Sequence, residues 1–216
     1  MRVIDLTHTI MQDMPVYPGT ETPTLEESSS YAKNGFRETR FTIISHTGTH
    51  IDAPAHIFEH GQTLDKFEAD TFIGKALVID CRAVLPGGVV TTEHLKAYEN
   101  LDKLDFLLFN FGWDKKWGTD EYFDKYPCLG DDVIDFVLQG NYKGIGVDVI
   151  SIDSIFDSSL KKHKRLLANK NIIIAENLKN LDLCSGEVFT FVCLPIKSKN
   201  ADGAPARAIG ILGVEI

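Results

Sequence analysis

Ser45-His46-Thr47-Gly48-Thr49-His50-Ile51-Asp52-Ala53-Pro54-Ala55-His56 gathers three of the chain's seven histidines and an aspartate into one short run. His46, His50, Asp52 and His56 all stand at even positions. In an extended chain, side chains two residues apart point to the same side, so His50 and Asp52 can face one ion. The segment cannot stay straight throughout. Ten extended residues cover roughly 33 Å, whereas the ligands of one site lie about 2 Å from their metal. Gly48 and Pro54 are residue types that permit the necessary bends. Imidazole and carboxylate without thiolate suit Zn, Mn, Fe or Ni better than a soft Cu(I) site. The competing reading, solvated or core histidines with satisfied nitrogens, leaves the spacing H-x3-H-x-D-x3-H unexplained.

Around this run the composition is that of a globular protein. The 216 residues are 44% hydrophobic and 25% charged, which fits one domain spanning residues 1–216. The net charge is −9, and the densest basic run, Lys161-Lys162-His163-Lys164-Arg165, is short and reads as a helix face. A nucleic-acid partner is therefore not expected, since binding one takes a basic footprint. Cys81, Cys128, Cys184 and Cys193 form no C-x-x-C and are read as reduced thiols. Met1-Arg2-Val3-Ile4-Asp5-Leu6 lacks the apolar core of a signal peptide, so the expectation is a cytoplasmic protein. No apolar stretch approaches the roughly 20 residues that span a bilayer, and no membrane association is expected.

Apolar, β-branched runs predict strands over residues 3–6, 41–45, 76–80, 106–111, 145–149, 172–175, 188–194 and 208–214. Helical spacing predicts helices over residues 92–98, 132–138 and 158–169, the first after a Thr cap and the second ending before Gly140. Strands alternating with helices in the second half imply an α/β fold with some parallel pairing.

A metal centre needs more than one loop. Downstream, Gly144-Ile145-Gly146-Val147-Asp148 is a strand ending in a carboxylate, followed by Ser151, Asp153 and Asp157. Glu176 follows four apolar residues, where a strand leaves the core; carboxylates are rare there unless paired or bound to a cation. His163, in the basic helix, is a further candidate. Asp148 could orient a ligand histidine or form a structural hydrogen bond, and Arg207 could clamp a substrate carboxylate or anchor a turn; the structural reading is preferred for both.

The H-T-G-T-H-I-D-A-P-A-H run resembles the signature of the cyclase family, which includes bacterial kynurenine formamidases and isatin hydrolases. Pro15-Val16-Tyr17-Pro18-Gly19, the run 146–153, His163, Glu176-Asn177-Leu178 and Asp202-Gly203-Ala204-Pro205-Ala206-Arg207 match other landmarks of the family in the same order, so the resemblance covers nearly the whole chain. It implies a single α/β domain of the swivelling β/β/α type, assembled as a homo-oligomer, a dimer or tetramer. It also implies that His46, His50, Asp52, His163 and Glu176 are metal ligands. They would hold two divalent ions per chain, Zn or alternatively Mn, with Asp52 and Glu176 touching both. His56 takes the place of the catalytic acid/base. Tyr17 stands in the substrate-pocket loop where the family's formamidases tend to carry Trp, which offers an aromatic face with an added hydroxyl.

The activity implied is metal-assisted hydrolysis of a small aryl amide, with N-formylkynurenine as the leading substrate and a hydroxide held between the ions as nucleophile. The alternative within the same chemistry is opening of an isatin-like lactam. Two readings from other classes are a mononuclear non-haem iron oxygenase, which leaves His46, His56 and Glu176 without a role, and a metal-binding protein without turnover.

Overall fold

Residues 76–79 and 106–109 are apolar and buried along their length, and they pair as parallel strands in register. Strands buried on both faces need no polar alternation, which is why these runs are unbroken. The computed structural model describes residues 1–169 and 172–213. Its first strands are β1 (Arg2–Asp5), β2 (Thr24–Ser29), β3 (Glu38–Thr42), β4 (His50–Asp52), β5 (Ile73–Asp80) and β6 (Val89–Val90). The remainder are β7 (Phe106–Asn110), β8 (Cys128–Leu129), β9 (Gly144–Val147), β10 (Ile173–Glu176), β11 (Phe189–Pro195) and β12 (Gly203–Leu212).

The order β12-β11-β5-β7-β9-β10-β4 closes on itself because β4 also pairs with β12, making a seven-stranded mixed barrel. The β5–β7, β7–β9 and β9–β10 contacts are parallel, as the alternation in the second half predicts, and β4, β11 and β12 pair antiparallel. β1 extends the sheet beyond β12. Side-chain alternation divides the core in two. The α-helices among the described residues are α1 (Tyr31–Asn34), α2 (Asp131–Gln139) and α3 (Lys161–Leu167), and Leu77, Ile79, Leu107 and Phe109 pack with residues of α2 and α3. Ala76, Val78, Phe106, Leu108, Phe191 and Ala208 join the second cluster, to which Ile51 of β4 and Ala175 of β10 also belong. β9 contributes glycine there: a Cβ on Gly146 would lie 2.7 Å from both Leu108 and Leu178.

Several expectations shift. The strand predicted over 41–45 is instead β3, paired with β2 in a hairpin in which residues 24–45 include no buried residue. Apolar Phe41 and Ile44 suggest a core strand, but they are exposed and no core forces their burial. The helix predicted over 158–169 shortens to α3, because Leu160 at φ +50° breaks the helical path at its start. The segment 92–98 forms a 3₁₀ helix, Thr92–Ala97, capped by Thr91. The last strand begins earlier than predicted, at Gly203, and the end predicted for it, residue 214, lies outside the described residues. Among the described residues no helix is long and apolar enough to cross a membrane.

Candidate metal centre

β4 is three residues long, lies between β10 and β12, and is wholly buried. Its middle residue, Ile51, packs with the second core cluster, so His50 and Asp52 project together from the opposite face. Glu176 ends β10 directly opposite His50 in the antiparallel ladder and projects to the same side. His50 Nε2 lies 3.2 Å from Asp52 Oδ1 and 3.6 Å from Glu176 Oε2. The same-side reading from sequence holds for this pair, and the predicted bends are present. Gly48 sits at φ +63°, where a Cβ would meet Met14 at 2.9 Å, and Pro54 opens the 3₁₀ turn Pro54–His56.

The bends return His46 and His56 to the same place. His46 Nδ1 is 2.6 Å from Asp52 Oδ1, and the His46 and His56 rings are 4.0 Å apart between centroids. His163, buried in α3, brings Nε2 to 3.2 Å from Glu176 Oε1 and 3.4 Å from Asp52 Oδ2. Ligand-type atoms therefore gather into two groups, His46/Asp52/His56 and His50/Asp52/Glu176, each spanning no more than 4.8 Å and sharing Asp52. His163 lies against the second group and His56 within the first.

The electrostatics show what the cluster lacks. Burial favours a neutral ring at His46, yet the Asp52 charge and hydrogen bonds to Asp202 and Asp52 raise it to about 10. Burial is likewise overcome at His163, where Asp153, Asp52 and Glu176 raise the ring to about 12. Asp52, though fully buried, is held well below the usual carboxylate range by His46 and His50. Even so, its Oδ2 accepts no hydrogen bond. A buried anion with an unsatisfied oxygen is costly, and here protons on imidazoles supply the positive charge that a divalent cation would supply better. Imidazole nitrogens and carboxylate oxygens converging on an unsatisfied oxygen form a donor set that fits such an ion. His56 differs: burial, reinforced by the neighbouring His46 and His163, lowers it to about 4 despite Asp52 and Asp202.

Partners of the rings complete the centre. His50 Nδ1 donates to the Gly48 carbonyl at 2.8 Å, which fixes the ring with Nε2 toward Asp52 and Glu176. His163 Nδ1 meets Asp153 Oδ2 at 2.8 Å, and this bond, with the backbone N–H groups of His163 and Lys162 that Asp153 also accepts, holds Asp153 at about 2 against burial. Asp202 Oδ2 lies 3.0 Å from His46 Nε2 and 4.0 Å from His56 Nδ1. Glu176 Oε1 accepts the Ile152 N–H at 2.8 Å. A cavity of about 340 Å³ opens over the centre, lined by His46, His50, His56, His163 and Glu176 together with Pro15, Val16, Tyr17, Ile44, Ile150 and Leu160. Tyr17 is half-buried there, its hydroxyl raised by burial and then by the Glu176 charge.

A family model described as "Putative cyclase" matches residues 4–154. The chain belongs to the cyclase family. Cyclase-family relatives cover it almost end to end. An uncharacterized protein of Methanocaldococcus jannaschii is 34% identical over 215 residues, 98% of this chain and 100% of that one. A kynurenine formamidase of Bacillus cereus is 30% identical over 207 residues, 95% of each chain. In fold, this cyclase-family chain is similar to an isatin hydrolase solved with the product analogue thioisatinate, with a TM-score of 0.86 and 23% identity over 97% of this chain and 92% of that one.

Some residues of the centre carry little signal in the cyclase-family sequence. Asp153 and Asp202 stand out only as members of longer matching runs, 146–153 and 202–207, with no role attached to either. The glycine is the better clue: a Cβ on Gly203 would lie 2.5 Å from the His46 ring, so the ring needs glycine beside it. Asp148 and Arg207 lie apart from the centre, Asp148 in the structural hydrogen bonds expected of it and Arg207 within β12 and not at a turn. Asp148 accepts the backbone N–H groups of Phe111 and Trp113 at 2.9 and 3.0 Å, and Arg207 pairs with Asp5 at 3.0 Å, tying β12 to β1.

Proposed function

We propose that the chain is a metal-dependent amide hydrolase acting on small aryl amides, with an aryl formamide of the N-formylkynurenine type as the leading substrate. The observation that carries this reading is the pair of donor groups sharing Asp52 at the floor of the Tyr17 cavity. His46, His50, Asp52, His163 and Glu176 would hold two divalent ions, Zn or Mn. Bound there, the ions would supply a water of lowered pKa and a Lewis acid for the substrate carbonyl.

The chain's own residues do the rest. Asp153, Asp202 and the Gly48 carbonyl aim three of the rings. His56, beside His46 in the first donor group, can accept a proton from the attacking water and pass it to the leaving nitrogen. Tyr17 offers a face against which a flat ring stacks, and Val16, Ile44, Ile150 and Leu160 exclude water around it. Relatives named kynurenine formamidase support the formamide.

One observation favours the second reading, hydrolysis of a neutral fused lactam. The described residues lining the cavity include no Lys or Arg to pair with the carboxylate of an amino-acid substrate. The same site would serve both reactions, and an active homo-oligomer is expected for either.

The test combines metal analysis with a substrate pair. Purified without chelator, the protein should carry two divalent ions per chain and hydrolyse N-formylkynurenine or isatin. Saturation at one ion overturns the two-ion assignment, and no turnover of any aryl formamide or lactam with metal present overturns the hydrolase.

A further inference from the structure

Asn177 directly follows Glu176, is buried, and adopts the left-handed conformation at φ +55°. All four of its hydrogen-bonding groups are engaged. Its N–H donates to Val149 O at 3.0 Å, and its carbonyl accepts the Thr49 hydroxyl at 2.5 Å. Its side-chain Nδ2 donates to the Gly48 carbonyl at 2.9 Å, and its Oδ1 accepts the hydroxyl of fully buried Tyr122 at 2.6 Å. The amide can take only this orientation, because the reverse would set its oxygen against the Gly48 oxygen.

Gly48 O is the same carbonyl that accepts the His50 Nδ1–H. One side chain thus connects the end of the strand bearing Glu176 to the turn that orients His50, across 129 residues of sequence. Thr49, held by the Asn177 carbonyl, in turn accepts the His8 N–H at 2.9 Å. Gly48 cannot hold its own position by packing, since it has no side chain and sits at φ +63°.

We propose that Asn177 is a positioning residue: through Gly48 it sets where His50 presents Nε2 relative to Asp52 and Glu176, and so sets the affinity of the centre for a divalent ion. The proposal rests on the metal-centre reading above. Asn177 lines the cavity, and its amide bonds run to Gly48 and Tyr122 with one N–H left over, so KM separates the two roles: positioning through Gly48 changes metal affinity, whereas contact with substrate would change KM.

Three variants of the full chain test it by Mn²⁺ titration calorimetry alongside thermal unfolding of the metal-free protein. Asn177→Gly keeps the left-handed backbone and removes the amide. Asn177→Asp keeps the shape and the acceptor for Tyr122 but replaces the donor to Gly48 with an oxygen. Tyr122→Phe keeps the packing and removes the donor to Oδ1. Loss of an outer hydrogen-bond partner weakens metal affinity by about 10–100-fold, and that loss is expected in both Asn177 variants, with KM unchanged at saturating Mn²⁺. Tyr122→Phe should weaken affinity less and add nothing in the Asn177→Gly background. Wild-type Mn²⁺ affinity in a folded Asn177→Asp protein overturns the proposal while leaving the metal centre standing. No Mn²⁺ binding by the wild type overturns both.

Discussion

Asp52 and Asp148 are both buried carboxylates at the ends of barrel strands, with 1% and 0% of their surface exposed. Their surroundings differ in kind. Asp148 has both oxygens occupied by backbone N–H groups, from Phe111 and Trp113. Asp52 faces three imidazoles at 2.6 to 3.4 Å and keeps one oxygen without a hydrogen bond. Backbone donors are fixed by the fold and ask for nothing further, so Asp148 locks two loops together and its chemistry ends there. Imidazoles can exchange their protons for a metal. Burial alone does not mark a functional acid; what distinguishes Asp52 is burial combined with an unmet need for positive charge and neighbours able to share a cation.

Substitution at each carboxylate sharpens this contrast. Asp52→Asn has the largest expected effect, because it removes the charge shared by both donor groups. Metal content should fall, and turnover should drop by about 10³–10⁵-fold, the equivalent of several kcal/mol of Lewis-acid stabilisation at 1.36 kcal/mol per factor of ten. A variant with wild-type metal content and rate would mean that Asp52 is only another buried acid. His56→Ala comes next, with turnover lowered by about 10²–10⁴-fold while metal content, read by mass spectrometry, stays near that of the wild type. Metal lost together with activity would make His56 a ligand, as its grouping with His46 and Asp52 allows.

Asp148→Asn should leave metal content and rate untouched and act on stability instead. Its amide can accept from only one of the two N–H groups, and one unsatisfied buried donor costs about 1–3 kcal/mol, read as a lowered urea midpoint. The effect also depends on pH. Burial raises the Asp148 carboxyl from 3.8 to about 7 despite its N–H donors. Its folded pKa thus exceeds its unfolded one, and the stability it contributes is full below about pH 3.8 and is lost as pH rises through about 7. The stability difference between wild type and variant should therefore shrink between about pH 4 and about pH 7. An unchanged difference would show that Asp148 stays ionised throughout.

The smallest effect is expected at the cavity wall. Tyr17→Ala should lower kcat/KM for an aryl substrate by roughly 2–13-fold, the equivalent of about 0.5–1.5 kcal/mol of stacking. Equal loss on an aliphatic amide would assign Tyr17 a general packing role.

Much of the barrel can be read in the chain because its strands are continuous apolar runs, and a run buried on both faces needs no partner information to be recognised. The β2–β3 hairpin could not be placed that way: Phe41 and Ile44 look like core residues, but both are exposed in the folded chain. The helix bearing His163 starts later than the chain suggests because the left-handed turn at Leu160 has no glycine or asparagine to announce it.

Within the centre, the sequence by itself determined what depends on near neighbours: the same-side projection of His50 and Asp52 from strand alternation, the bends at Gly48 and Pro54, and Glu176 at the mouth of a strand. Only the tertiary structure decided which acids serve which rings. Asp202 reaches His46 across 156 residues and Asn177 reaches Gly48 across 129, whereas Asp148, equally acidic and equally close to a strand end, turns to the backbone. Those outcomes follow from β4 closing the barrel between β10 and β12, a contact between distant segments whose geometry is not encoded in any local pattern of residues.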